Sequence, residues 1–119
     1  MAELNIGNFG YNQVETVAVD KTLDEGDGGV VQNVTVTGKI VTLPATVVGT
    51  SYIIRVGAEG ITVTVSPNAS DKIMGNGFTS ADNKDAIATS QPAGAFIHLI
   101  GDGANGWMVH RVNGTWTRE

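Results

Sequence analysis

Two histidines, His98 and His110, stand on neighbouring apolar segments, "AFIHLI" (95–100) and "WMVHRV" (107–112). Brought together, two imidazoles offer a pair of metal ligands or a proton relay near neutral pH. Between them, "GDGANG" sets Gly101, Gly103 and Gly106 in the G-x-G-x-x-G spacing of a dinucleotide loop. Upstream, "DEGDGG" (24–29) gathers Asp24, Glu25 and Asp27, carboxylates of the kind that surround calcium. The C-terminal run adds Trp107, Arg111 and Trp116, side chains able to stack on a sugar ring or on each other.

Each chemistry depends on the elements that carry it. A dinucleotide loop must open a helix whose amides meet the pyrophosphate, but "WMVHRV" after Gly106 reads as a strand, so the spacing is expected to be accidental. The acidic run lacks the remaining ligands of a calcium loop and reads as a solvated turn, or as a patch that meets a basic surface on a partner.

For the histidines the question is register. Hairpins joining 95–100 to 107–112 through Asp102-Gly103, through Asn105-Gly106 or through all of 101–106 share one parity: opposed residue numbers sum to an odd value. That parity puts His98 on a face with Phe96, Ile100, Trp107, Val109 and Arg111, and His110 on the other with Ile97, Leu99, Met108 and Val112. The two imidazoles share a metal only if a bulge shifts the register. No serine has a nucleophile-elbow context and no carboxylate pair has compelling spacing, so the expectation is a non-enzymatic chain with no catalytic residue, metal or cofactor.

Asn113-Gly114 signals a type I′ turn that would pair Val112 with Thr115 and Arg111 with Trp116. Both tryptophans then lie on one face, about 13 Å apart at ~3.4 Å per residue, with the Arg111 guanidinium against the Trp116 ring. Core or interface packing of Trp107, Trp116 and Arg111 is the expectation; contact with a glycan is the alternative.

The elements behind these residues are strands. "VETVAVD" (14–20), "VVQNVTV" (30–36), "KIVTL" (39–43), "SYIIRV" (51–56), "ITVTV" (61–65) and "TWTR" (115–118) join the two histidine segments as β-branched runs separated by glycine-containing turns. The spacing predicts an all-β fold, a small antiparallel β-sandwich or barrel. "ITVTV" alternates, whereas "SYIIRV" and "AFIHLI" are apolar on both faces, which favours a sandwich centre or a subunit interface. Residues 66–85 form a long polar stretch interrupted by "KIMG", read as one short strand between loops.

With 119 residues the chain suits one domain, taken as 14–119, preceded by an extended arm over 1–13 that carries Leu4, Ile6, Phe9 and Tyr11. Twelve acids against seven bases give a net charge of −5, which argues against nucleic acid as a partner. Residues 1–29 hold six of the acids and only Lys21, so the whole net charge lies in this N-terminal quarter. There is no cysteine, and neither a signal peptide nor an apolar span is apparent, so no membrane association is expected. The sequons at Asn33, Asn68 and Asn113 carry no weight without export.

"VTLPATVVGTSYIIRVGAEGITVTVSPNASDKIMGNG", with the closing "GDGANGWMVHRVNGTWTRE", resembles a module of tailed-phage virion proteins. The shared features run in order: Thr42-Leu43-Pro44, Gly49 before Tyr52, a valine-rich strand into Ser66-Pro67, Asp71 with Ile73, then Gly106-Trp107 and Gly114 with Trp116. The resemblance covers about residues 14–119 and implies small β-sandwich or tulip-like domains that assemble as trimers on capsid surfaces and in fibres. It implies a capsid decoration (cement) protein, a homotrimer on the outer surface of the virion that binds the major capsid protein through its N-terminal arm. A fibre or glycan-recognition module is the alternative. With little beyond the module in the chain, decoration is the preferred expectation.

Overall fold

The computed structural model describes residues 13–75, 77–78 and 83–119. The strands are β1 (Gln13–Val17), β2 (Lys21–Thr22), β3 (Val30–Val34), β4 (Lys39–Thr42), β5 (Ser51–Val56), β6 (Ile61–Ser66), β7 (Lys72–Met74), β8 (Ala86–Gln91), β9 (Phe96–Gly101), β10 (Gly106–Asn113) and β11 (Thr117–Arg118). A 3-10 turn, Glu25–Asp27, lies between β2 and β3. Sheet A is ordered β1-β3-β5-β9-β10-β7 and sheet B β11-β8-β6-β4-β2, the two layers of an all-β sandwich.

The sheets are mixed, where antiparallel sheets were expected. From β1 to β6 the chain alternates between the layers, so each strand lies beside the one two before it and runs the same way. Parallel pairing follows because each return to a sheet is made through the opposite layer. The result is a coil of three turns, each giving one strand to each sheet. Stacked positions bury like on like: Val17, Val34 and Val56 in sheet A, Val41 and Val65 in sheet B. β8, β9, β10 and β11 then close the sandwich with antiparallel pairs.

The first turn of the coil ends the core with charge. Glu15, Lys21 and Gln32 occupy inward rows, Glu15 opposite buried Gln32 and Lys21 opposite buried Val41. Lys21 Nζ donates to Glu15 Oε1, to Gln32 Oε1 at 3.1 Å and to Asp27 Oδ1 at 3.3 Å. Partial burial opposes the ammonium charge, but the hydrogen bonds to Glu15 and Asp27 outweigh it and raise the Lys21 pKa. A polar closure of this kind is what the end of a stacked coil requires.

Candidate functional site

The glycine-rich "GDGANG" forms the turn between β9 and β10. The Asp102 carboxylate accepts the backbone N–H of Ala104 and Asn105, each at 2.8 Å, and of Gly106 at 3.0 Å. These donors, Gly106 first, hold the Asp102 carboxyl below its ordinary pKa. Thr46 ties the turn to the β4–β5 connection: its Oγ1 donates to the Gly106 carbonyl at 2.6 Å and accepts from Gly103 N, while its own N–H donates to buried Asp71 at 2.9 Å. Gly106 has φ +149°, and a Cβ there would lie 2.1 Å from the Lys72 carbonyl oxygen. Its glycine is required by the close approach of β7, and strand β10 follows where a nucleotide site needs a helix.

This turn spans five residues, 102–106, and so reverses the expected parity at the start of β10. Trp107 opposes Gly101, Met108 opposes Ile100 and Val109 opposes Leu99. Trp107 and Val109 therefore face the core with Leu99, and Met108 faces outward, a correction to the faces assigned from an even-length loop. A bulge at His110 then restores the other parity, so that Arg111 opposes His98, Val112 opposes Ile97 and Asn113 opposes Phe96.

The bulge carries His110 to the face of His98. Their ring centroids are 5.1 Å apart and the planes nearly perpendicular at 89°. Partial burial first, then the charges of His110 and Arg111, hold His98 below the usual imidazole pKa. The two histidines are thus neighbours by the one exception that the parity rule allows. Among the described residues no third metal-ligating side chain joins them.

His98 lies in the outer face of sheet A, and that face has an unusual composition. Register places Val14, Val31, Ile53, His98 and Arg111 in one row across β1, β3, β5, β9 and β10. A second row holds Thr16, Asn33, Arg55, Phe96 and Asn113, with Arg55 donating to Asn33 Oδ1 at 2.7 Å. A third joins Ser51, Ile100, Met108 and Met74. None of these residues is a carboxylate, in a chain with a net charge of −5. Val14 and Met108 are the most open apolar side chains of these three rows, at 67% and 44% exposure.

Sheet B presents the opposite surface. Its outward rows run Thr22, Thr42 and Ser66, then Ile40, Thr64, Ile87 and Thr117. Hydroxyls dominate there, as on an ordinary solvated sheet face. The doubly apolar strands "SYIIRV" and "AFIHLI" both belong to sheet A, where Ile53, Phe96 and Ile100 form the second apolar side.

Both tryptophans lie in the core. Trp107 is fully buried, with its ring 5.3 Å from that of Tyr52, and its Nε1 has no hydrogen-bond partner. Trp116 is 8% exposed and donates from Nε1 to the Asn113 carbonyl at 3.1 Å. The expected Asn-Gly hairpin does not form: after Asn113 the chain crosses layers, and β11 pairs with β8 instead of β10. Burial of Trp116 at this corner separates it from Arg111 on the outer face, so neither ring is offered as a sugar platform. The arm residues Leu4, Ile6, Phe9 and Tyr11 lie outside the described residues.

The acids collect at one edge. Glu15, Asp20, Asp24, Glu25 and Asp27 belong to the first turn of the coil, where Lys21 is the sole base. Asp24 caps the 3-10 turn, accepting from Gly26 N at 2.9 Å, and Asp20 accepts from Ile40 N at 3.0 Å. Glu25 is exposed beside them. The run is thus a capped acidic turn at a sheet edge. In comparison with known proteins, no family model and no curated protein's sequence matches the chain.

Proposed function

We propose that the chain is a virion structural protein of tailed-phage type, a homotrimeric capsid decoration protein that binds the outer surface of the major capsid lattice and stabilises it. The observation that carries this reading is the carboxylate-free outer face of sheet A, half apolar and bearing Arg55, Arg111 and the two histidines, set against the hydroxylated face of sheet B. A small β-sandwich with one such face is built to be covered. The order of motifs from Thr42 to Trp116, which resembles virion modules, supplies the class of assembly.

In this reading the three copies cover one another's apolar faces, and residues 1–13, with Leu4, Ile6, Phe9 and Tyr11, are the arms that dock on the shell. Three weak arm contacts on one trimer add as avidity, and binding to the assembled shell alone raises its stability by mass action. The role is non-catalytic and uses no cofactor, metal, nucleic acid or membrane. Burial of Trp107 and Trp116 removes the feature that favoured glycan recognition.

The test is co-sedimentation of the purified chain with undecorated shells. The intact chain is expected to bind and to raise the temperature of shell disruption, and a chain lacking residues 1–13 to stay in the supernatant while remaining folded. Equal binding of the two chains would remove the arm from the account, and failure of the intact chain to bind would remove the function.

A further inference from the structure

A cyclic trimer has heterologous interfaces: a patch on each copy meets a different patch on the next, so the molecule must carry two unlike complementary surfaces. Two stand out. The outer face of sheet A interleaves Val31, Ile53, Phe96 and Ile100 with Arg55, Arg111 and the His98–His110 pair, with no carboxylate in its rows. The first turn of the coil gathers Glu15, Asp20, Asp24, Glu25 and Asp27 around one lysine. We infer that the outer face of sheet A is the seat of a second copy of this chain, whose acidic first-turn edge is the occupant.

Charge complementarity selects this pairing. Two sheet A faces set against each other would bring Arg55, Arg111 and two histidines of each copy together without a counter-charge, an arrangement that costs free energy on desolvation. The outward rows of sheet B carry hydroxyls around Ile40 and Ile87 and no charge to meet the arginines. The acidic edge supplies the missing sign. Its exposed Glu25 has no structural duty beyond its place in the 3-10 turn, whereas Asp24 and Asp27 are engaged in the cap. The inference rests on the self-assembly part of the function proposed above and is independent of the capsid.

Sedimentation equilibrium of the full chain and four variants tests it. Ile53→Glu is expected to abolish association while leaving the thermal midpoint of the monomer within a few degrees of the parent. Arg111→Glu and Glu25→Lys, both at exposed positions, are each expected to weaken association ~10-fold, within the range for close interfacial charge pairs. The double variant Arg111→Glu/Glu25→Lys, with the charges exchanged, is expected to recover most of that loss. Raising the salt from about 50 mM to 500 mM weakens the parent, as screening of a charged interface requires. A trimer indifferent to Ile53→Glu overturns the face as the seat, and a double variant no stronger than the weaker single variant overturns the acidic edge as its occupant. A parent that remains monomeric overturns both this inference and the homotrimer. A trimer that obeys the pattern but ignores shells leaves this inference intact and removes only the capsid.

Discussion

Replacing Gly106 by alanine puts the reading of "GDGANG" as a structural turn under its hardest test. A Cβ at this position would stand 2.1 Å from the carbonyl oxygen and 2.4 Å from the amide nitrogen of Lys72, both backbone atoms that no rotamer change can move. β7 and β10 must separate by more than about 1 Å to reach ordinary contact. That movement strains or breaks the 3.0 Å bond from Lys72 N to the Asn105 carbonyl and the 2.6 Å bond from Thr46 Oγ1 to the Gly106 carbonyl. At roughly 0.5–1.5 kcal/mol each, the two bonds contribute about 1–3 kcal/mol. Holding a non-glycine residue at φ +149° adds about 1–3 kcal/mol. The sum, about 2–6 kcal/mol, is a large part of the ~5–15 kcal/mol that holds a domain of this size together. Gly38→Ala is the control, since Gly38 has φ +83° and nothing within 4 Å of the added methyl. It is expected to cost only the left-handed backbone term of about 1–2 kcal/mol. Urea unfolding followed by tryptophan fluorescence measures both. A Gly106→Ala midpoint no lower than that of Gly38→Ala, with unchanged slope, would refute the reasoning.

Trp107→Ala and Trp116→Ala are each expected to lower stability by about 3–5 kcal/mol, with near-ultraviolet circular dichroism reporting the loss of packing; a variant as stable as the parent would contradict core placement. His98 has a lowered pKa in the folded chain, so the unfolded chain takes up its proton first as the pH falls. Stability is therefore full above about pH 6.5, declines as the pH drops through the lowered value and then levels. Unfolding midpoints of the parent and His98→Asn across that window should converge at low pH, and parallel curves would dismiss the role of His98. Asp102 likewise contributes stability that is present above the ordinary carboxylate pKa and lost as the pH falls through its lowered one. A nuclear magnetic resonance titration showing an unshifted Asp102 would contradict the three-donor turn.

How far the sequence led can be followed residue by residue. The alternation of "ITVTV" correctly buried Val63 and Val65 and turned Thr62 and Thr64 away from the core. The doubly apolar "SYIIRV" and "AFIHLI", read as a sandwich centre or a subunit interface, are the adjacent central strands β5 and β9 of sheet A. "KIMG" contains β7. β8 went unseen because Ala86 and Ala88 have neither branching nor bulk; they are buried as small residues against Val63 and Val65. Parallel pairing was hidden because strand composition records burial and not direction.

The histidine pair was illegible for a sharper reason. Side-chain faces along a strand follow a period of two, so one inserted residue reverses every later assignment. The turn after β9 and the bulge at His110 each make one such reversal, and neither has an unambiguous local signature. Asn113-Gly114 did carry a hairpin signature, and tertiary structure overrode it: the corner that buries Trp116 and pairs β11 with β8 places hydrophobic area in the core that a hairpin on sheet A would leave outside. Gly114, at φ +82°, serves that corner.

Electron cryo-microscopy of shells mixed with the chain measures directly whether and where it sits on a particle. The predicted density is a ring of three copies on the outer surface of the shell, with the outer face of sheet A of each copy covered by its neighbour and the N-termini directed at the major capsid protein. Single copies with sheet A facing solvent, or density confined to a tail fibre, would contradict it.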